Sequence, residues 1–178
     1  MYAEVLRDPE FFLFLLRIDE EFASETRREG CRHCGAALHV ADFPRKPRGC
    51  PVAVVEQFSW RFSFTCSRCE LRATSVSVRF LGRRVYVAVV LMLLSPPQGA
   101  ATRQVCNHLS VPIRTLQRWR RWWTEEFLRT PFWQATRSRF MPPVLTEQLP
   151  ASVLARFAAP SPNQRLVQAL RWLSPLSI

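Results

Sequence analysis

A chain of 178 residues can form one ordinary domain or two small ones, and its 48% apolar share excludes wholesale disorder. The formal charge of +11 at pH 7 makes an anionic partner the leading expectation, with nucleic acid ahead of a membrane surface. The longest apolar runs, Phe11–Leu16 and Val85–Leu94, fall short of the roughly 20 residues of a membrane span. With no signal peptide at its acidic start, the chain is expected to be soluble and cytoplasmic.

The charge is uneven. Residues 1–29 carry eight acidic and four basic side chains, so the rest of the chain holds a net charge of +15, nearly all of it arginine. The first element is an amphipathic helix over 8–29. Asp8-Pro9-Glu10 supplies a capping side chain, a proline at the first helical position and an acid in the first turn. Arg27 and Arg28 sit in the last turn, and Gly30 ends it. Phe11, Leu15, Ile18 and Phe22 share one face, widened by Phe12, Phe14 and Leu16. That surface needs a cover: the chain's own C-terminal helices, a partner, or a second copy.

Cys31-Arg32-His33-Cys34-Gly35 and Cys66-Ser67-Arg68-Cys69 form two Cys-x2-Cys pairs separated by 31 residues. Two such pairs set four thiolates at the corners of a tetrahedron, which suits one structural Zn²⁺. Cys31, Cys34, Cys66 and Cys69 are therefore the expected ligands. Free buried cysteines and a redox pair are the alternatives. Four thiolates leave no open position for water, so catalytic zinc is not expected. Cys50 is the spare thiol, His33 points away from the metal, and Cys106 reads as a small core residue in a helix.

Between the pairs, Asp42–Pro51 has three prolines and a glycine and reads as a loop. Gln57–Thr65 then alternates strictly, with Phe58, Trp60, Phe62 and Phe64 on one face and Ser59, Arg61 and Ser63 on the other, which predicts a half-buried strand. Thr74, Val76, Val78 and Phe80 repeat the pattern up to Gly82.

Helical patterns follow Arg84. The Val85–Leu94 run reads as a supporting helix and Pro96-Pro97-Gln98-Gly99 as a break. Residues 102–121 fit a helix-turn-helix: Val105 and Leu109 in the first helix with Cys106 at the small position, Ser110-Val111-Pro112 as the turn, then Leu116 and Trp119 anchoring the second helix. At about 100° per residue Leu116, Trp119, Trp123 and Phe127 form one stripe. Arg114, Arg118 and Arg121 lie opposite, with Gln117 at their margin, and Arg120 flanks the stripe where a phosphate would lie. Arg and Gln are the side chains that make paired hydrogen bonds to guanine and adenine edges. A solvated basic face on a core helix is the alternative. Prolines at 131, 142–143, 150 and 160–162 mark later boundaries, and Ser161-Pro162-Asn163-Gln164 opens a last helix burying Leu166, Ala169, Leu170 and Leu173.

The fold class expected is α+β, mostly α. It divides into an N-terminal helix (1–29), a zinc ribbon (30–82), a helix-turn-helix (83–130) and a C-terminal helical segment (131–178). This order resembles the DNA-binding part of bacterial insertion-sequence transposases and the small proteins encoded beside them, over Cys31 to about Phe127. The Ser77–Arg84 and Phe132–Arg137 stretches resemble the same small proteins. The resemblance implies a nucleoid-associated accessory or regulatory factor of a mobile element. Its partners would be double-stranded DNA and a separately encoded transposase or recombinase, with no membrane and no small-molecule substrate. Beyond residue 30 the acids are Asp42, Glu56, Glu70, Glu125, Glu126 and Glu147, in no setting suited to metal-dependent phosphoryl transfer, so no catalysis is expected. A zinc-stabilised protein adaptor, docking through the N-terminal helix, is the second reading.

Overall fold

The computed structural model describes residues 4–81, 87–88 and 111–178. Helix α1 spans Pro9–Glu29, as its end signals predict. The Asp8 carboxylate accepts from the Glu10 amide at 3.0 Å. Gly30 closes the helix at φ +78°, where a side chain would be strained and its Cβ would meet the Ala36 carbonyl at 3.2 Å. Phe11, Phe12, Leu15 and Ile18 are buried and Phe22 is half-buried, while Phe14 stays on the surface.

Five short strands follow: β1 (Leu38–Val40), β2 (Phe43–Pro44), β3 (Trp60–Arg61), β4 (Ser63–Cys66) and β5 (Arg72–Thr74). They form two antiparallel sheets, β1-β4-β5 and β2-β3. Leu38 faces Cys66 in the first and Phe43 faces Arg61 in the second.

Here the structure corrects the alternating pattern. Gln57–Ser59 is a 3-10 turn, and the strand breaks at Phe62 where the chain passes from one sheet to the other. A strand keeps its period of two only while it stays in one ladder. Trp60 is therefore 50% exposed, whereas Arg61 and Ser63 are buried. The second strand is also shorter than its pattern. Arg72–Thr74 pairs with β4 and Phe80 makes a single antiparallel bridge to Val87, while over 75–80 the polar Ser75, Ser77 and Arg79 are buried along with Val78 and Phe80. The predicted loop over 42–51 contributes the two residues of β2, and Asp42 accepts from the Ser63 amide at 2.9 Å.

Helix α2 spans Ile113–Arg121 and runs on through a π-helical turn, Trp122–Glu126, and a 3-10 turn, Phe127–Arg129. Thr130 caps α3 (Pro131–Thr136), accepting from the Trp133 amide at 3.1 Å. The short α4 (Ala151–Leu154) precedes α5 (Pro162–Leu173), whose Ser161 hydroxyl accepts from the Gln164 amide at 3.2 Å. Leu166, Ala169, Leu170 and Leu173 are buried, as the periodicity predicts. The proposed first helix of the helix-turn-helix, with Val105, Cys106, Leu109 and Ser110, lies outside the described residues. So do Gly82, the Pro96–Gly99 break and most of the Val85–Leu94 run.

The described residues form two cores, and the fold is α+β. The larger joins the apolar face of α1 to Phe58, Val78, the Leu116–Phe127 stripe and the inner face of α5. The chain's own helices therefore cover α1. Glu21 pairs with Arg171 of α5 at 3.4 Å, and Arg171 also stands over the Phe22 ring. The smaller core is built from Ala23, Cys31, Leu38, Phe64 and Cys66. Among the described residues no helix is long and apolar enough to cross a membrane.

Candidate metal centre and basic helix

The four paired cysteines come together. Their sulfurs all lie within 4.8 Å of one another, with Cys34–Cys66 at 3.4 Å, Cys31–Cys69 at 3.6 Å and Cys34–Cys69 at 3.7 Å. A tetrahedron of sulfurs about 2.3 Å from a Zn²⁺ has edges of about 3.8 Å, so the spread matches a four-coordinate ion of that size. Among the described residues this is the single group of three or more metal-ligating side chains. Cys50 is not in it. It packs on the larger core, and burial pushes its thiol up to about 11.

The two pairs are built alike. Residue +4 of each returns its amide to the first cysteine's carbonyl: Gly35 to Cys31 at 2.8 Å and Glu70 to Cys66 at 3.2 Å. Gly35 and Glu70 both hold left-handed backbone, at φ +71° and +59°. The turn then aims amides at sulfur. Those of Cys69 and Arg68 lie 3.5 and 3.4 Å from the Cys66 sulfur and lower its thiol to about 6. The His33 and Cys34 amides likewise lower Cys31. Cys69 behaves oppositely: against the help of the Leu71 amide, burial and the other three sulfurs push it up to about 12. Four sulfurs this close cannot all ionise beside one another without a cation. A divalent ion removes that conflict, so the donor set fits one.

A second polar cluster joins α1 to the segment that follows β5. Asp19 is fully buried on α1; its carboxylate accepts from the Ser77 hydroxyl, from the Val78 amide at 2.7 Å and from Arg79 Nε at 2.7 Å. The Arg79 guanidinium also donates to the Gln57 and Trp60 carbonyls at 3.0 and 3.2 Å, and stands over the Phe58, Phe62 and Phe80 rings. Every charge there is paired and hydrogen-bonded, the condition for burying ions without a large penalty. The net charge of residues 1–29 does not single out Asp19 from the other acids of α1. The signal was present: Asp19 follows Phe12 by seven residues and Leu15 by four, which puts it on the buried stripe.

On α2 the two expected faces separate. Leu116, Trp119, Trp123 and Phe127 are buried, whereas Arg114, Gln117, Arg118 and Arg121 are exposed and Arg120 is half-buried. Arg121 reaches Glu125 at 3.9 Å, an exposed pair worth at most about 0.5 kcal/mol. Comparison of the chain with known protein families, curated proteins and solved structures finds no match.

Proposed function

We propose that the chain is a zinc-ribbon and helix-turn-helix protein that binds double-stranded DNA without catalysis, as an accessory or regulatory factor of a bacterial mobile element. The observation that supports this best is α2. Its buried aromatic stripe fixes the helix to the body while Arg114, Gln117, Arg118 and Arg121 stand in solvent on one side. Side chains near the start of such a helix reach base edges, and those near its margin reach phosphates. The charge of +11 supplies the long-range attraction, and its concentration after residue 29 directs DNA away from α1. One structural Zn²⁺ on Cys31, Cys34, Cys66 and Cys69 would hold the two knuckles together and supply no chemistry to DNA. Any cutting or joining belongs to a separately encoded transposase or recombinase. The adaptor reading rested on an uncovered apolar face of α1, and that face is covered by this chain.

Binding to selected and random duplexes, followed by fluorescence anisotropy across a salt series, tests the reading. Arg114→Ala should weaken the selected site by about 1–3 kcal/mol and relax preference at one base position. Arg120→Ala should weaken all sequences alike and lower the salt slope by about one. If both variants bind like the wild type, α2 is not the reader.

A further inference from the structure

Behind the first cysteine knuckle lies a cavity of about 600 Å³, walled by residues of the ribbon sheets, the end of α1 and the last two residues of the chain. Its lining holds Arg32, Arg45, Arg61 and Arg72 and no aspartate or glutamate. Two of these arginines stand over the Phe43 ring, and a third, Arg61, lies on the neighbouring strand over the Phe80 ring. Arg61 is the cross-strand partner of Phe43, and Arg45 follows Phe43 by two residues. The Arg45 and Arg72 guanidinium carbons stand 4.2 and 5.4 Å from the centre of the Phe43 ring. Among the described residues none of the three has a carboxylate within 4.0 Å.

Arg61 is the unusual member. It is 2% exposed, and although Nη2 donates to the Ser75 and Ser177 carbonyls and to the Ser177 hydroxyl, Nη1 has no acceptor. Burial lowers its guanidinium to about 10, with the nearby Asp19 opposing the fall and Arg79 and Arg45 adding to it. Asp19 is already neutralised by Arg79. Among the described residues no aspartate or glutamate side chain is left to balance the arginines of this wall, and a buried donor without an acceptor calls for an explanation.

We propose that this cavity binds a phosphate monoester carried on a body about the size of a nucleoside, the phosphate being held by Arg45 and Arg72, with the buried Arg61 adding its charge from behind. Guanidinium forks match the oxygens of a phosphate in pairs. A bare phosphate would leave most of the volume empty, and the volume lies in the usual range for small-ligand sites. Phe80, Leu71 and Ile178 give the remainder of the wall an apolar character suited to the body of the ligand. The phosphate has two possible sources, a free nucleotide or the 5′ end of a DNA strand. The site is separate from α2 and does not depend on that helix reading DNA.

Calorimetry on the zinc-loaded full chain tests this with four probes: a nucleoside 5′-monophosphate, the same nucleoside without phosphate, and a short duplex with and without 5′-phosphates. The monophosphate should bind once per chain and the bare nucleoside should not. Arg45→Ala and Arg72→Ala should each weaken binding about tenfold or more, the loss expected of a charge-assisted contact. Arg139→Ala, which removes an equal charge from another surface, should leave it unchanged. Circular dichroism and zinc content check that each variant is folded. Binding of the free nucleotide assigns a small-molecule ligand, and tighter binding of the 5′-phosphorylated duplex than of the unphosphorylated one assigns a strand end; either result supports the site. No saturable binding of the nucleotide together with equal binding of the two duplexes, or equal weakening by Arg139→Ala, overturns it.

Discussion

Single side chains carry unequal weight in this fold. Cys66 is buried in the smaller core and belongs to the sulfur cluster, so its loss removes both a ligand and a packing contact. In small zinc domains metal-binding energy is folding energy. Wild-type protein should contain one zinc per chain by elemental analysis, while Cys31→Ser or Cys66→Ser should contain none and lose the ribbon signals in NMR. A ribbon that stays folded without metal would contradict this. Asp19 holds the second critical position. Replacing it with alanine strands the Arg79 guanidinium, which among the described residues has no other carboxylate within ion-pair distance. Breaking a buried pair in this way costs about 3–5 kcal/mol, so urea titration of Asp19→Ala should show a loss of that size. A loss under about 1 kcal/mol would mean that water reaches Arg79 and replaces the carboxylate.

Among the elements, the knuckles show how backbone conformation serves chemistry. Gly35 takes the left-handed turn without penalty, and a Cβ there would meet nothing within 4 Å, so the requirement is for its φ and not for space. Glu70 takes the same turn in the second knuckle with a side chain attached. Glu70→Gly should therefore raise stability by up to about 1 kcal/mol, against the usual effect of adding glycine, because it relieves the left-handed strain. The midpoint of thermal unfolding of the zinc-loaded protein checks the sign; a lower midpoint would show that φ +59° is unstrained here. In α2 the alternation of faces was legible because a helix imposes its period on every residue. Trp123 and Phe127 stay buried across the π-helical turn at Trp122–Glu126, a local widening of the helix that period alone does not specify.

For the whole molecule, the decisive feature is that α1 is part of the main core. Phe12, Leu15 and Ile18 are buried in the cluster that contains Leu166, Leu170 and Leu173. Deleting residues 1–29 should thus produce an unfolded or aggregated chain, measured by light scattering and circular dichroism. A folded, unchanged monomer after the deletion would show that α1 contributes no essential cover. The same deletion takes away Asp19, so it also opens the polar cluster that joins α1 to the segment after β5.

What the sequence determined by itself was local or stoichiometric. The bounds of α1 followed from Asp8, Pro9 and Gly30, and the start of α5 from Ser161 and Pro162, because caps act within one turn. The cysteine cluster followed from two Cys-x2-Cys pairs, because ligand spacing is dictated by the ion. The strands over 57–80 were misjudged for the opposite reason. Whether Arg61 and Arg79 face water or the interior depends on Asp19, Ser177 and the carbonyls of Gln57 and Ser75, groups 14 or more residues away in sequence. Alternation describes a strand held in one sheet, and this chain changes sheets at Phe62. Tertiary structure alone decided which arginines would be buried, since a charge enters a core only where distant partners have already been assembled to meet it.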